Sequence, residues 1–319
     1  MSVDLSLADR FQALADPTRL RILALLQNME LSVGELAQVL GQSQPRVSRH
    51  LKILADAYVL ERRKEGSWVF LTLGDADHVA PMFELIERWS DPATRALFAA
   101  DAARTDAVRA ERAEAASRYF AAQAEVWDQI RSLHVAESEV ERAIDRALGN
   151  QPLGLLVDIG TGTGRMIELF GPRARQAIGI DRSSEMLRIA RVKLEAAGIA
   201  SSLRQGDMYA LPLATSSADH IIIHQVLHYA HSPAAAIGEA ARVLGPGGTL
   251  LVVDFAAHAR EELRITDAHI RLGFEDSAMA GWFAAAGLEM EQVEHLEGGE
   301  LTVILWRGTK PGARARKAA

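Results

Sequence analysis

From residue 155 onward the chain repeats one unit: a short apolar run, a polar or glycine turn, then an amphipathic helix. No other feature constrains its fold as tightly. The apolar runs cover residues 155–159, 177–180, 202–204, 220–224 and 250–255, and helical patterns such as 184–197 and 234–244 lie between them. Strand-length runs separated by helices bury both faces of a sheet when the strands are parallel, so a doubly wound α/β domain is expected. The first run leads into Val157-Asp158-Ile159-Gly160-Thr161-Gly162-Thr163-Gly164-Arg165. Glycines at a strand-to-helix turn let a ligand approach the backbone and aim N–H groups at it. Dinucleotide sites use G-x-G-x-x-G, which would need a glycine where Arg165 stands, so the spacing disfavours NAD. Asp181 ends the second run about 20 residues beyond the first glycine, where a carboxylate can accept both ribose hydroxyls. Gly206-Asp207-Met208 follows the third run; an Asp there can accept from an adenine amino group while a Met lies along the ring.

The first 73 residues have a different texture, four short helical patterns and then a hairpin. Asp16-Pro17-Thr18 opens one helix, with Asp16 as N-cap and Pro17 where its missing N–H costs nothing. Ser32-Val33-Gly34-Glu35 reads as a capping box, Gly41 as a stop and Ser43 as the next cap. In the fourth helix Val47, Leu51 and Leu54 recur as a buried stripe. Its opposite face shows Gln44, Arg46, Ser48, Arg49 and Lys52, types that hydrogen-bond base edges and phosphates. Two helices joined by a glycine turn form a helix-turn-helix pattern, and Arg62-Arg63-Lys64 sits on the following hairpin as a wing. Residues 75–90 suggest a further helix with Val79, Met82, Phe83, Ile86 and Trp89 on its apolar face. The Ala-, Arg-, Asp- and Glu-rich stretch from Asp91-Pro92 to about residue 117 reads as a helical connector with few apolar anchors.

The formal net charge of −7 argues against nucleic acid only until its distribution is considered. Residues 44–64 hold six basic side chains against two acidic ones, and residues 307–319 hold five basic and no acidic ones. A local basic surface binds phosphate while the remainder keeps the protein in solution. There is no cysteine, which excludes disulfides, thiolate metal sites and cysteine nucleophiles. The start, MSVDLSLADR, lacks a signal-peptide pattern, and no apolar run nears the ~20 residues that span a bilayer. A cytoplasmic protein with no membrane partner is the expectation.

Residues 15–23 (ADPTRLRIL), Gly34-Glu35-Leu36-Ala37 and 43–54 (SQPRVSRHLKIL) resemble the ArsR family of winged-helix repressors over residues ~8–90. The resemblance implies a homodimer reading an inverted repeat in double-stranded DNA, with the first helix and the 79–89 helix as interface. It places Gln44, Arg46, Ser48, Arg49 and His50 on the recognition helix, followed by Lys52, Arg62, Arg63 and Lys64. Metal-sensing members carry cysteines where this chain has Glu30-Leu31-Ser32-Val33-Gly34-Glu35, so no soft metal is expected. Asp77 and His78 suit either that family's second metal site or a solvated helix start.

The later motifs, with Arg242-Val243-Leu244-Gly245-Pro246-Gly247-Gly248 and the closing elements to Trp306, resemble class I S-adenosylmethionine-dependent methyltransferases, in particular the quinone-biosynthesis-like group. The match starts near Tyr119-Phe120 and Trp127-Asp128. It implies that Asp158, Gly160, Gly162 and Gly164 line the methionine end and Asp181 the ribose, with Arg182 and Met186 beside it. Asp207 and Met208 take the adenine, and Gln225 and His228 fall under the reactive sulfur. The expected fold is therefore two domains, a mainly α winged helix-turn-helix followed by an α/β Rossmann-like class I methyltransferase fold. The expected bounds are 1–90 for the DNA reader, 91–117 for the connector, 118–307 for the nucleoside domain and 308–319 for a basic tail.

Binding a nucleoside does not establish methyl transfer. Cytosine C5 and arsenite methylation both need cysteines, which the chain lacks, and the Asn/Asp-Pro-Pro-aromatic sequence of exocyclic-amine methylation is replaced by Ile223-His224-Gln225-Val226. His224 and His228 stand open to two readings, general base or pocket packing; His220 and His231 are expected to face solvent. His269 and Arg271 are candidates for the acceptor side. The whole chain resembles fused regulators for which S-adenosylhomocysteine is the implied effector. The leading expectation is a repressor with S-adenosylmethionine or S-adenosylhomocysteine as effector and no metal, the alternative an active methyltransferase of a small-molecule acceptor.

Overall fold

The computed structural model describes residues 7–27, 31–65, 68–74, 76–123, 137–297 and 300–312. Trp127, Asp128, Gly66, Glu30 and the tail residues Arg314, Arg316 and Lys317 lie outside them, as do the side chains of Arg63, Lys64, Asp77, Tyr119 and Phe120. The chain divides into two compact units, Met1–Glu114 and Ala115–Ala319.

In the first unit α1 (Leu7–Leu14), α2 (Pro17–Leu26), α3 (Val33–Leu40) and α4 (Gln44–Asp56) gather around Ile22, Leu23, Leu36, Val47, Leu51 and Leu54, all with 0% exposure. Helix α2 starts as its sequence dictates: the Asp16 carboxylate accepts from the N–H groups of Thr18 (2.8 Å) and Arg19 (3.2 Å). At α3 the capping box closes, Glu35 N–H donating to Ser32 Oγ and Ser32 N–H to Glu35 Oε2. Gly41, at φ 64°, ends the helix in the left-handed conformation that glycine adopts without strain. At α4 the expected side-chain cap is absent. Ser43 is extended, but Pro45 at the second helical position has no N–H to give it, and the N–H groups of Arg46 and Val47 go to the Ser43 carbonyl instead.

Strands β2 (Leu60–Glu65) and β3 (Trp68–Leu73) form the hairpin, and a two-residue strand β1 (Leu31–Ser32), too short to show a periodicity, pairs with β3 to give the order β1-β3-β2. In α5 (Ala76–Trp89) Val79 and Met82 are buried, but Trp89 departs from the expected apolar face and is 71% exposed. Helix α6 (Pro92–Gln123) runs further than the 117 expected for the connector. Its anchor is polar. Asp101, 1% exposed, takes the Arg21 guanidinium in a fork (2.6 and 2.7 Å) and a third bond from Arg104 (2.9 Å).

The second unit opens with α7 (Glu137–Leu148), an amphipathic helix the sequence reading passed over, burying Val140, Ala143, Ile144, Ala147 and Leu148. The seven-stranded sheet has the order β6-β5-β4-β7-β8-β10-β9. Its strands are β4 (Leu155–Ile159), β5 (Gln176–Asp181), β6 (Ser202–Gln205), β7 (Ala218–His224), β8 (Leu244–Phe255), β9 (Glu289–Leu296) and β10 (Val303–Thr309). Strands β4 to β8 pair in parallel and β10 is antiparallel to both its neighbours. Because β5 lies on one side of β4 and β7 on the other, the chain reverses its direction of travel at the carboxyl end of β4, the crevice where such sheets bind ligands. Around it run α8 (Arg165–Phe170), α9 (Ser184–Ala196), α10 (Pro233–Val243), α11 (Leu263–Thr266) and α12 (Asp276–Ala285). The mainly α winged unit and the Rossmann-like unit are the expected fold.

Strand β10 reaches Thr309, inside the stretch expected to be tail. Lys310 then caps the carboxyl end of α10, its ammonium donating to the carbonyls of Ala241 and Leu244, so this cation serves the fold. Among the described residues no helix is long and apolar enough to cross a membrane.

Burial acts to raise the Asp16 carboxyl, but the N–H groups of Arg19 and Thr18 together outweigh it and hold the group below its ordinary 3.8. Asp16→Ala should therefore cost about 1 kcal/mol at neutral pH. The contribution is full above the unfolded value and is lost as pH falls through the lower folded one. Denaturant unfolding of the full chain at neutral pH and again near pH ~2 checks this; an equal deficit at both would contradict it.

Candidate functional site

Asp158 lies at the end of β4 with 1% exposure and accepts the Thr161 hydroxyl at 2.6 Å. The turn that follows holds Gly160, Gly162 and Gly164 at φ 73°, 54° and 87°, all in the left-handed region. A Cβ at Gly160 would stand 2.6–2.8 Å from three atoms of Val226, so the turn is also closed to side chains on steric grounds. The N–H groups of Gly160 and Thr161 donate to Ile180 O on the neighbouring strand (2.7 and 3.0 Å).

Gly162 N–H donates to Asp181 Oδ2 and Ser183 N–H to Asp181 Oδ1, each at 2.8 Å. A carboxylate has about four lone-pair sites. With backbone N–H groups of Gly162, Ser183 and Arg182 on it, the carboxylate keeps room for a donor from outside, such as a ribose hydroxyl. Burial pushes the Asp181 carboxyl above the usual carboxylate range, against backbone N–H groups of Ser183, Gly162 and Arg182 that pull it down. The glycine turn and this carboxylate form one bonded unit, a cradle at the carboxyl ends of β4 and β5.

The other expected residues are placed as follows. Arg182 is exposed, with its carbonyl held by Gln205, and Met186 is buried in the first turn of α9 with 2% exposure. Asp207 is exposed and accepts Tyr209 N–H at 3.0 Å; Met208 is half-buried beside it. Gln225 adopts φ 49° and donates its N–H to Val253 O (2.7 Å). His224 is 8% exposed. His220, expected to face solvent, is instead half-buried with Nδ1 at 2.8 Å from Leu153 O. His231 is also half-buried.

His228, 2% exposed, is paired with a residue the sequence reading missed. Its Nδ1 lies 2.7 Å from Asp254 Oδ1, and its backbone N–H donates to Asp254 Oδ2 (3.2 Å). Asp254 has 0% exposure and also accepts Phe255 N–H (2.8 Å). The one available signal was a carboxylate inside the otherwise apolar run 250–255. Arg271, 0% exposed, donates to the carbonyls of Ala230 and His231, and its own N–H and that of Ile270 go to His228 O.

In the first unit α4 turns Gln44, Arg46, Arg49 and Lys52 outward, leaves Ser48 half-buried and carries Val47, Leu51 and Leu54 on the buried side. His50 differs: it is half-buried and turned toward the start of α2, with Nδ1 3.7 Å from Asp16 Oδ1. Arg62 is exposed on β2. His78 is exposed, and no group of three or more His, Cys, Asp or Glu able to hold a metal occurs among the described residues.

These features define a winged helix-turn-helix unit followed by a class I methyltransferase-type unit, and the comparisons agree. Residues 16–60 match the model of bacterial regulatory proteins of the arsR family, and residues 157–252 match that of the methyltransferase domain. The chain is 41% identical over 81 residues to an HTH-type transcriptional regulator of Methanocaldococcus jannaschii, covering 25% of this chain and 90% of that one. It is 37% identical over 116 residues to the demethylmenaquinone methyltransferase of Thermus thermophilus, 36% of this chain and 52% of that one, so it spans about half of that relative's length. Among solved structures the YcgJ protein of Bacillus subtilis superposes with a TM-score of 0.50 at 20% identity, over 56% of this chain and 100% of that one, a likeness of fold. The chain belongs to the ArsR family of regulatory proteins by its first unit and carries a methyltransferase domain in its second.

Gly160→Ala should destabilise the second unit by about 1–3 kcal/mol through the positive φ and the contact with Val226. Val226→Ala, which removes two of the three contacting atoms, should recover part of that loss in the double variant. Strict additivity in denaturant unfolding would show that the contact is relieved in some other way.

Proposed function

We propose that this protein is a DNA-binding transcriptional repressor, a homodimer on an inverted-repeat operator, whose second unit binds S-adenosylmethionine or S-adenosylhomocysteine as effector. The observation that carries this reading is the cradle itself: Gly162 N–H and the Asp181 carboxylate are bonded together at the sheet's switch point, in the same chain as an α4 that presents Gln44, Arg46, Arg49 and Lys52. In this reading the glycine turn takes the methionine end, Asp181 the ribose, and Asp207 with Met208 the adenine. Arg46 and Arg49 read base edges while Arg62 and Lys52 meet phosphate. A ligand shifts DNA occupancy only by its differential affinity for the two forms, typically ~1–3 kcal/mol. The second unit signals through α6, which begins at Pro92 locked to α2 by Asp101 and continues past Glu114 without interruption.

Using a duplex selected by the full chain from a random pool, Arg46→Ala or Arg49→Ala should cost ~1–3 kcal/mol of specific affinity, whereas Arg62→Ala should mainly lower the salt slope, by about 1. Asp181→Ala should weaken binding of either nucleoside about 10- to 100-fold in calorimetry, the loss of charge-assisted hydrogen bonds, and leave ligand-free DNA binding unchanged. Wild-type nucleoside affinity should also fall on acidification, and at a higher pH than an ordinary aspartate would give, since protonation removes the acceptor. Unaltered nucleoside binding in Asp181→Ala would refute the assignment.

Asp101→Ala tests the coupling. It strips a buried partner from Arg21 and should destabilise by about 3 kcal/mol or more. Asp101→Asn, milder in fold, should keep both binding activities and lose the ligand's effect on DNA. An undiminished effect in both variants would mean that the signal takes another route.

A further inference from the structure

His228 has a feature that ligand sensing does not use. Its Nδ1 faces the Asp254 carboxylate, an acceptor already taking N–H bonds from His228 and Phe255. In the neutral ring Nδ1 therefore carries the proton and Nε2 the lone pair. That Nε2 is buried and has no hydrogen-bond partner. A buried acceptor without a donor is costly, and such orphans in folded proteins mark either strain or chemistry.

The surroundings indicate what it meets. The His228 ring is flanked by Tyr229 at 4.0 Å, His269 at 4.2 Å and Phe255 at 5.1 Å between centroids. Phe255 and His269 are stacked at 18°. Flat walls of this kind suit an aromatic guest. The titratable groups facing His228 are Asp254 from β8, the adjacent Tyr229, and His269 from the segment after α11; His258 stands behind Phe255. The Arg271 guanidinium is turned away, toward Ala230 O and His231 O.

We infer that His228 is a general base, positioned by Asp254, for methylation of a hydroxyl on a flat aromatic acceptor. The inference rests on S-adenosylmethionine occupying the cradle proposed above, where it would supply the methyl group. His228 Nε2 takes the hydroxyl proton as the acceptor oxygen forms its bond to the methyl carbon and the carbon–sulfur bond breaks with its electron pair going to sulfur, leaving a thioether, a methyl ether and an imidazolium. The imidazolium returns its proton to water. An aromatic hydroxyl, with a pKa of about 10 as in tyrosine, is within reach of an imidazole base, whereas an aliphatic hydroxyl, far less acidic and close to water, is not. Such a chain would convert a sulfonium into a neutral thioether inside the regulator itself.

The test uses the full chain, S-adenosylmethionine and three hydroxyarenes, catechol, 4-nitrophenol and 8-hydroxyquinoline, and reads released S-adenosylhomocysteine. Formation with at least one is expected. His228→Asn should lower the rate 10²–10⁴-fold, the usual share of a general base, with nucleoside affinity unchanged in calorimetry. Asp254→Asn, a second variant should the first not fold, should slow the reaction and move the rising limb of the pH–rate profile to lower pH, because removing the anion makes the imidazole a weaker base. Independently of turnover, ¹⁵N-histidine NMR should show His228 protonated on Nδ1 and not Nε2, a preference that Asp254→Asn weakens. No nucleoside binding would defeat the cradle assignment. Binding with no product from any of the three hydroxyarenes, or an equal rate in His228→Asn, would overturn the base assignment and leave the cradle standing.

Discussion

The bond from Gly162 N–H to Asp181 is the constraint on which the second unit's chemistry depends. A carboxylate taken out of water is costly unless hydrogen bonds replace its solvent. Asp181 obtains them from the backbone of the glycine turn and from the start of α9, which fixes the turn against β5 before any ligand arrives. The turn reaches that position only because Gly160, Gly162 and Gly164 accept left-handed φ values. Replacing any partner of the bond therefore alters the shape of the site as well as its charge.

The first unit is organised around a different carboxylate. Asp101 is as buried as a leucine, yet it lies on a helix whose sequence offers few apolar anchors. Its fork with Arg21 supplies direction where packing supplies little: a bidentate guanidinium–carboxylate pair fixes orientation as well as distance. Removing one partner of such a pair costs about 3 kcal/mol or more, because the other charge is left buried and unpaired.

What was legible in the sequence follows from the range of the interaction involved. The α4 stripe of Val47, Leu51 and Leu54, the Asp16 cap and strand β4 are local patterns, and each was readable with its function or bounds. The glycine turn and Asp181 were readable because a strand, a turn and a spacing of about 20 residues place them together. The pair His228–Asp254 was not readable, because it depends on register. Strand β7 sets His224 opposite Val253 on β8, so Asp254 falls beside Gln225; the left-handed bend at Gln225 then brings His228 back over it. The neighbours of Lys310 and His50 were hidden for the same reason. The end of α10, to which Lys310 donates, and Asp16, which the His50 ring faces, are distant in sequence, and neither side chain carries a local mark of that neighbour.

Two carboxylates of the second unit, Asp254 and Asp181, also differ in the groups that reach them. Asp254 is reached by a side-chain nitrogen, His228 Nδ1, as well as by the backbone N–H groups of His228 and Phe255. Asp181 is reached by backbone N–H groups only, which cannot titrate or move, and burial nevertheless holds its proton affinity high. A carboxylate with fixed donors and a raised pKa is poised to gain from a ligand's hydroxyl groups, since each one stabilises the charged form that burial opposes. A carboxylate whose partner is an imidazole instead passes its influence on to the far nitrogen of that ring. One carboxylate is held by fixed backbone donors, and the other reaches outward through the ring of its neighbour.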